Sequence, residues 1–287
     1  MSTIKAFVTK HSAPVYFALT FTISWGGLLV VVGPGGFPGT PEQFKALLPV
    51  AVVAMITGPS IAGLLLTGFV SGRAGLHEFL SRLLKWRVHA RWYAAALLIA
   101  PILMMAVLLT LSLFSSSFLP GIFLSDDKAA LVLSGMAIAL GAGVFEELGW
   151  TGFVIPRLRL RYGVLATGLI VGLLWAGWHL LPAFWARGTV SGAFSLTSYL
   201  LDPFLLLTAF RVLMVWVYDR TQSLLIGILM HVSLTGSARI IGAPGIAGLP
   251  FLTFDLLWFS AVWVVIVIVA VVNRRQLSRP PLRERVG

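Results

Sequence analysis

The sequence predicts an all-α polytopic membrane protein: about eight transmembrane helices around a hydrated intramembrane cavity, with one amphipathic helix on the cytoplasmic face. Three observations carry this. Of the 287 residues, 58% are hydrophobic and only 11% charged, with a mean hydropathy of +0.95, too apolar for one soluble domain. Apolar runs of about twenty residues recur along the chain, the length a helix needs to cross a bilayer. The Lys and Arg residues then collect in alternate loops, as a membrane topology requires. A barrel is excluded because the runs are longer than barrel strands and do not alternate.

The expected spans, in order, are 14–33, 47–70, 92–118, 129–153, 163–182, 199–218, 223–241 and 251–272. Lys5 and Lys10 precede the first, but no small-residue cleavage site follows, so it reads as a retained span rather than a signal peptide. One set of loops holds sixteen Lys and Arg residues, among them Arg82, Lys85, Arg157 and Arg161, and the opposite set holds four. Both termini are therefore expected in the cytoplasm of a multi-pass cell-membrane protein, of the prokaryotic inner-membrane kind. Losing or adding a span would scramble that split.

Segment 75–91 is too polar to span. Leu76, Phe79, Leu80, Leu83, Leu84 and Trp86 recur at helical spacing among Arg82, Lys85 and Arg87, which predicts an amphipathic helix on the cytoplasmic surface. Residues 33–39 are turn-rich and 183–198 form a second external loop. The chain reads as a single membrane domain, 1–273, with a core at about 129–241 and a basic tail, 274–287. The net charge of +11 follows from topology and from contact with anionic lipid headgroups, and no nucleic-acid partner is expected. The absence of Cys excludes disulfides, thiolate metal sites and a Cys nucleophile.

Against this background Glu146 and Glu147 stand out. They fall roughly 15 Å inside the fourth span, where a carboxylate costs about 2.5 kcal/mol or more. Neighbours on a helix point about 100° apart, so the two carboxylates face different ways. Glu146 shares a face with Gly149, Trp150 and Phe153, and Glu147 with Thr151. One can face a cavity while the other braces a neighbouring helix. Two of the five His residues also lie in spans: His179, on one face with Trp175, and His231, on one face with Thr235. A Glu and two His suffice to activate water, with the carboxylate as base and the imidazoles holding the water and stabilising an oxyanion. The same set, Glu146, His179 and His231, is also a zinc ligand set, although the His-Glu-x-x-His spacing is missing. Otherwise no cofactor is expected. Counted from the cytoplasmic ends, His179 lies roughly 24 Å deep and His231 roughly 12 Å, so a single site requires helix tilt or a later start to the fifth span.

Together these residues resemble the CPBP family, the CAAX prenyl proteases and bacteriocin-processing enzymes also called Abi, which are intramembrane glutamic endopeptidases. The resemblance rests on Glu146-Glu147-Leu148-Gly149-Trp150-x-Gly152-Phe153 with Pro156-Arg157-Leu158, on Trp175-x-x-x-His179, on His231 with Thr235, and on Gly58-Pro59-Ser60. It implies that Glu146 activates water, His179 holds it, and His231, assisted by Thr235, donates to the oxyanion. The substrate implied is a membrane protein or peptide. The family pattern departs at two positions: Thr151 stands where an Arg is usual, and Thr235 where Asn is commonest. Glu147 thereby loses its usual cation, and three roles are open to Arg211 in the sixth span: to replace that cation, to snorkel to the cytoplasmic surface, or to pair with Asp202. Two other classes fit the sequence: a non-catalytic scaffold or immunity factor, which Thr151 would favour, and a proton-coupled carrier, for which no broken-helix repeat is visible.

Overall fold

The computed structural model describes residues 3–186 and 203–272. Most of the expected external loop, the first residues of the sixth span with Asp202, and the tail 274–287 lie outside them. The described residues are helical throughout, without a strand. In chain order the helices are α1 (Thr3–Lys10), α2 (Ser12–Val32), α3 (Pro41–Leu83), α4 (Ala90–Ser112), α5 (Gly121–Leu124), α6 (Lys128–Gly149), α7 (Ile155–Leu158), α8 (Val164–Trp178), α9 (Leu180–Ala186), α10 (Thr208–Thr221), α11 (Leu224–Ile240) and α12 (Gly248–Val272). A π-helical turn, Trp150–Val154, joins α6 to α7. Among the described residues six stretches are long and apolar enough to cross a membrane, and α11 is a shorter apolar helix.

Four of the prolines inside these helices, Pro59, Pro101, Pro156 and Pro182, tie elements together. Proline has no N–H, so it strands the carbonyl four residues earlier, and in hydrocarbon a stranded carbonyl needs another donor. In each case a side chain from elsewhere in the fold supplies it. Pro59 frees the Met55 carbonyl, which accepts from Ser24 Oγ (2.7 Å). Pro101 frees Leu97, which accepts from Ser233 Oγ (3.0 Å). Pro156 frees Gly152, which accepts from Arg82 Nη2 (3.1 Å). Pro182 frees Trp178, which accepts from Trp25 Nε1 (2.9 Å). The breaks thus tie α2 to α3, α11 to α4, the end of α3 to the π-turn, and α2 to α8.

Small residues set the remaining spacings. On α8, Gly168 and Gly172 lie against the backbone of α10: a Cβ at Gly168 would come within 2.7 Å of Val212 Cα, and one at Gly172 within 2.6 Å of Thr208 Cα. On α3, Gly63 lies against Gly149 of α6, 2.9 Å from its Cα by the same measure. Residues 208–215 of α10 are all buried, so this helix runs through the interior with lipid-facing helices around it.

The amphipathic segment differs from its expected limits. α3 breaks at Gly72 (φ 60°, ψ −152°), a conformation open to glycine and costly for other residues. It resumes as an arm over 73–83 and stops there rather than at Arg91. The chain must leave the helix because His89 caps α4, its Nδ1 accepting from the Arg91 N–H (3.3 Å). Gly75 and Phe79 turn inward, while Leu76, Leu80, Leu84 and Trp86 face outward. This outward apolar row, flanked by Arg73, Lys85 and Arg87, is the pattern of an interfacial helix.

The arm also covers the start of α11. Ser223, the N-cap, is fully buried, accepts from the Ile226 N–H (3.3 Å) and donates to the Lys85 carbonyl (2.7 Å). α11 therefore begins beneath the arm, and its seventeen residues need not reach the membrane surface.

Candidate active site

α6 carries the two carboxylates in its last turn, before the π-turn. Local insertions of this kind recur at functional sites because they re-aim side chains. Here Pro156 removes the donor for Gly152, and Arg82, which also donates to the Tyr218 hydroxyl (2.8 Å), holds the widened turn in place. Ser60 of the Gly58-Pro59-Ser60 stretch donates to the Phe145 carbonyl, and Pro59 packs against Gly149, so α3 fixes the same turn from the other side.

Glu147 is wholly buried and fully bonded. Its Oε2 accepts from Arg211 Nη1 (2.8 Å) and from the Thr151 hydroxyl one turn on. Its Oε1 lies 2.7 Å from His231 Nδ1, and since a carboxylate only accepts, that nitrogen is the donor. A buried carboxylate this well paired is stable, whereas a bare one would not be. Gly227 lets α11 approach Thr151 closely: a Cβ at Gly227 would stand 3.0 Å from Thr151 Cγ2.

Glu146, only 4% exposed, has a different environment. Its Oε2 accepts from Trp175 Nε1 (2.7 Å), and no cation pairs with it among the described residues. Trp175 also orders the imidazoles. Its backbone carbonyl lies 2.8 Å from His179 Nδ1. A carbonyl only accepts, so that nitrogen carries the proton, and Nε2 of a neutral His179 is left as an acceptor. The indole ring centre lies 5.8 Å from the His179 ring and 5.1 Å from the His231 ring, and the Arg211 guanidinium carbon sits 4.0 Å from it. One tryptophan therefore touches Glu146, both His residues and Arg211.

Comparisons with known proteins bear on the same residues. A family model described as type II CAAX prenyl endopeptidase Rce1-like matches residues 128–236, the interval that holds Glu146, Glu147, Trp175, His179, Arg211, His231 and Thr235. The chain is also 20% identical over 230 residues to CAAX prenyl protease 2 of Methanococcus maripaludis, covering 77% of this chain and 82% of that one. Both matches are to CAAX prenyl proteases, the kind of protein that the Glu146-Glu147, His179 and His231 motifs resemble.

Three placements bear on the sequence expectations. His231 is turned toward Glu147, not Glu146. Thr235, half-buried one turn beyond His231, takes no part in the hydrogen bonds around the two carboxylates among the described residues. Arg211 occupies the place at Glu147 left by the absent family Arg, which the sequence raised among several pairings. The depth difference between the two His residues is met by the recessed start of α11, not by a late start to α8. No three carboxylate or imidazole groups among the described residues form a metal-ligand cluster. Trp175 was not among the expected site residues. Its signal was present in its position four residues before His179.

Proposed function

We propose that this chain is a CPBP-type intramembrane endopeptidase that hydrolyses a peptide bond of a membrane-associated protein or peptide, with Glu146 as general base. The observation that carries this is the double role of Trp175, which donates to Glu146 and fixes His179 with its Nε2 as an acceptor. A water hydrogen-bonded between Glu146 and His179 Nε2 gives up a proton to the Glu146 carboxylate as its oxygen attacks the scissile carbonyl. The oxyanion is met by His231 in its protonated form, whose charge Glu147 stabilises through Nδ1 while Nε2–H donates. Glu146 then delivers its proton to the leaving amine as the C–N bond breaks. No step is routed through zinc. In this reading both termini face the cytoplasm of a prokaryotic inner membrane, with the basic end of the fold at anionic lipid headgroups.

Arg211 speaks for this reading over a non-catalytic scaffold, because Thr151 no longer leaves Glu147 without a cation. The test is cleavage of a quenched peptide library by the purified protein in lipid nanodiscs. Turnover is expected in wild type and is lost in Glu146→Gln and in His179→Ala. Wild-type cleavage matched by both variants would mean that the site is elsewhere. Since one relative is named a CAAX prenyl protease, the library includes a peptide ending in Cys-aliphatic-aliphatic-X, with and without a prenyl group.

A further inference from the structure

A cavity of about 840 Å³ opens at the basic end of the fold, apart from the carboxylate site. None of Glu146, Glu147, Trp175, His179 or His231 lines it. Its rim carries Lys10, Arg157 and Arg161, and its deeper walls carry Phe17 of α2 and Ile170 and Leu174 of α8. α2 and α8 are joined at their opposite end, where Trp25 donates to the Trp178 carbonyl (2.9 Å). Here they stand apart with apolar side chains facing the gap.

The charges on this rim are unbalanced. Lys10, Arg157 and Arg161 form no ion pair among the described residues. The carboxylate on the wall, Glu78, already lies 3.7 Å from Arg82 Nε. The cations are held in place: Arg161 Nη2 donates to the Lys10 carbonyl (3.1 Å), and Arg157 donates to the Phe153 carbonyl (3.0 Å) with its guanidinium carbon 3.5 Å from the Phe153 ring centre. Like charges gathered over a low-dielectric cavity concentrate a positive field, and a fixed guanidinium suits a phosphate.

We propose that this cavity binds one anionic glycerophospholipid, its phosphate among Lys10, Arg157 and Arg161 and an acyl chain along Phe17, Ile170 and Leu174. Free phosphate shares the headgroup chemistry but would leave the apolar walls uncovered. The site is separate from the proposed peptidase chemistry, so its test reads binding and not turnover.

The experiment is native mass spectrometry of the purified full chain, with lipid titrated back after delipidation. The probes are phosphatidylglycerol, phosphatidylcholine of the same chain length, and inorganic phosphate. Wild type is expected to hold one phosphatidylglycerol in preference to phosphatidylcholine, and millimolar inorganic phosphate fails to displace it. Lys10→Gln/Arg161→Gln, at exposed positions, weakens phosphatidylglycerol at least about tenfold, given the attraction each basic residue contributes near an anionic lipid, with an unchanged melting temperature. Ile170→Trp, which fills the apolar wall without altering charge, weakens both lipids. Equal binding by wild type and the double variant overturns the proposal. So does displacement by inorganic phosphate, which would mark a free-anion site, or by an equimolar acidic peptide, which would mark a peptide channel. If Ile170→Trp lowers the melting temperature, the double variant decides.

Discussion

Arg211 Nη1 lies 2.8 Å from Glu147 Oε2, and neither side chain is exposed to solvent. The two residues are 64 apart in sequence, on α10 and α6, and their pairing gives Glu147 the cation that Thr151, one turn on, does not supply. Because both ions are buried, removing one strands the other.

Arg211→Met is therefore expected to destabilise the fold by about 3–5 kcal/mol, read as a lowered unfolding midpoint in detergent. Thr151→Arg, the residue usual in the family that the motifs resemble, is expected to lower stability as well, since position 151 is buried and Arg211 already pairs with Glu147. A gain in activity in Thr151→Arg would show that Arg211 does not substitute.

Trp175→Phe keeps most of the ring but removes the donor to Glu146. Turnover is expected to fall at least about tenfold, with little change in melting temperature. Unchanged turnover would remove Trp175 from the proposed chemistry and leave it a packing residue.

The proline rule gives a coupling test. Ser24→Ala leaves the buried Met55 carbonyl without a donor, at a cost of about 1–3 kcal/mol. Pro59→Ala restores the N–H that the helix would use. The two changes should be non-additive, with Ser24→Ala costing less in the Pro59→Ala background, as a double-mutant cycle on unfolding midpoints would show. Strict additivity would mean that Ser24 does not serve that carbonyl.

At Gly149 a Cβ would collide with the Pro59 carbonyl and the Tyr16 hydroxyl. Gly149→Ala should cost about 1–3 kcal/mol by overpacking and lower turnover, because it shifts the turn next to Glu146. Gly141, with nothing described within 4 Å of a Cβ, is the control. Gly141→Ala on the same helix should leave the unfolding midpoint unchanged or slightly raised.

Much of the fold was legible because each apolar run reports its own helix. The divergence of Glu146 and Glu147 was also legible, being a property of one helix. What the sequence did not contain was the rotation of one helix against another. That is why His231 was matched with Glu146 when it meets Glu147, and why Arg211 was only one of several pairings. The ends of the amphipathic arm were missed for a local reason, since nothing in its apolar spacing marks Gly72 or the cap at His89. The partners of the carbonyls that the four prolines free, Ser24, Ser233, Arg82 and Trp25, emerge only when the helices are assembled.

The recessed start of α11 and the buried Arg211 on α10 bear on how the protein is made. A helix with a central Arg enters a bilayer at a cost of about 2.5–3.5 kcal/mol on insertion scales, and α11, at roughly 26 Å long, is short of a full crossing. Each finds its partner only in segments synthesised earlier, Glu147 on α6 for Arg211 and Lys85 beside the arm for Ser223. Biogenesis therefore has a direction. The ribosome delivers α10 and α11 last among the helices that build the site, and their integration draws on partners already made, on α6 and beside the arm.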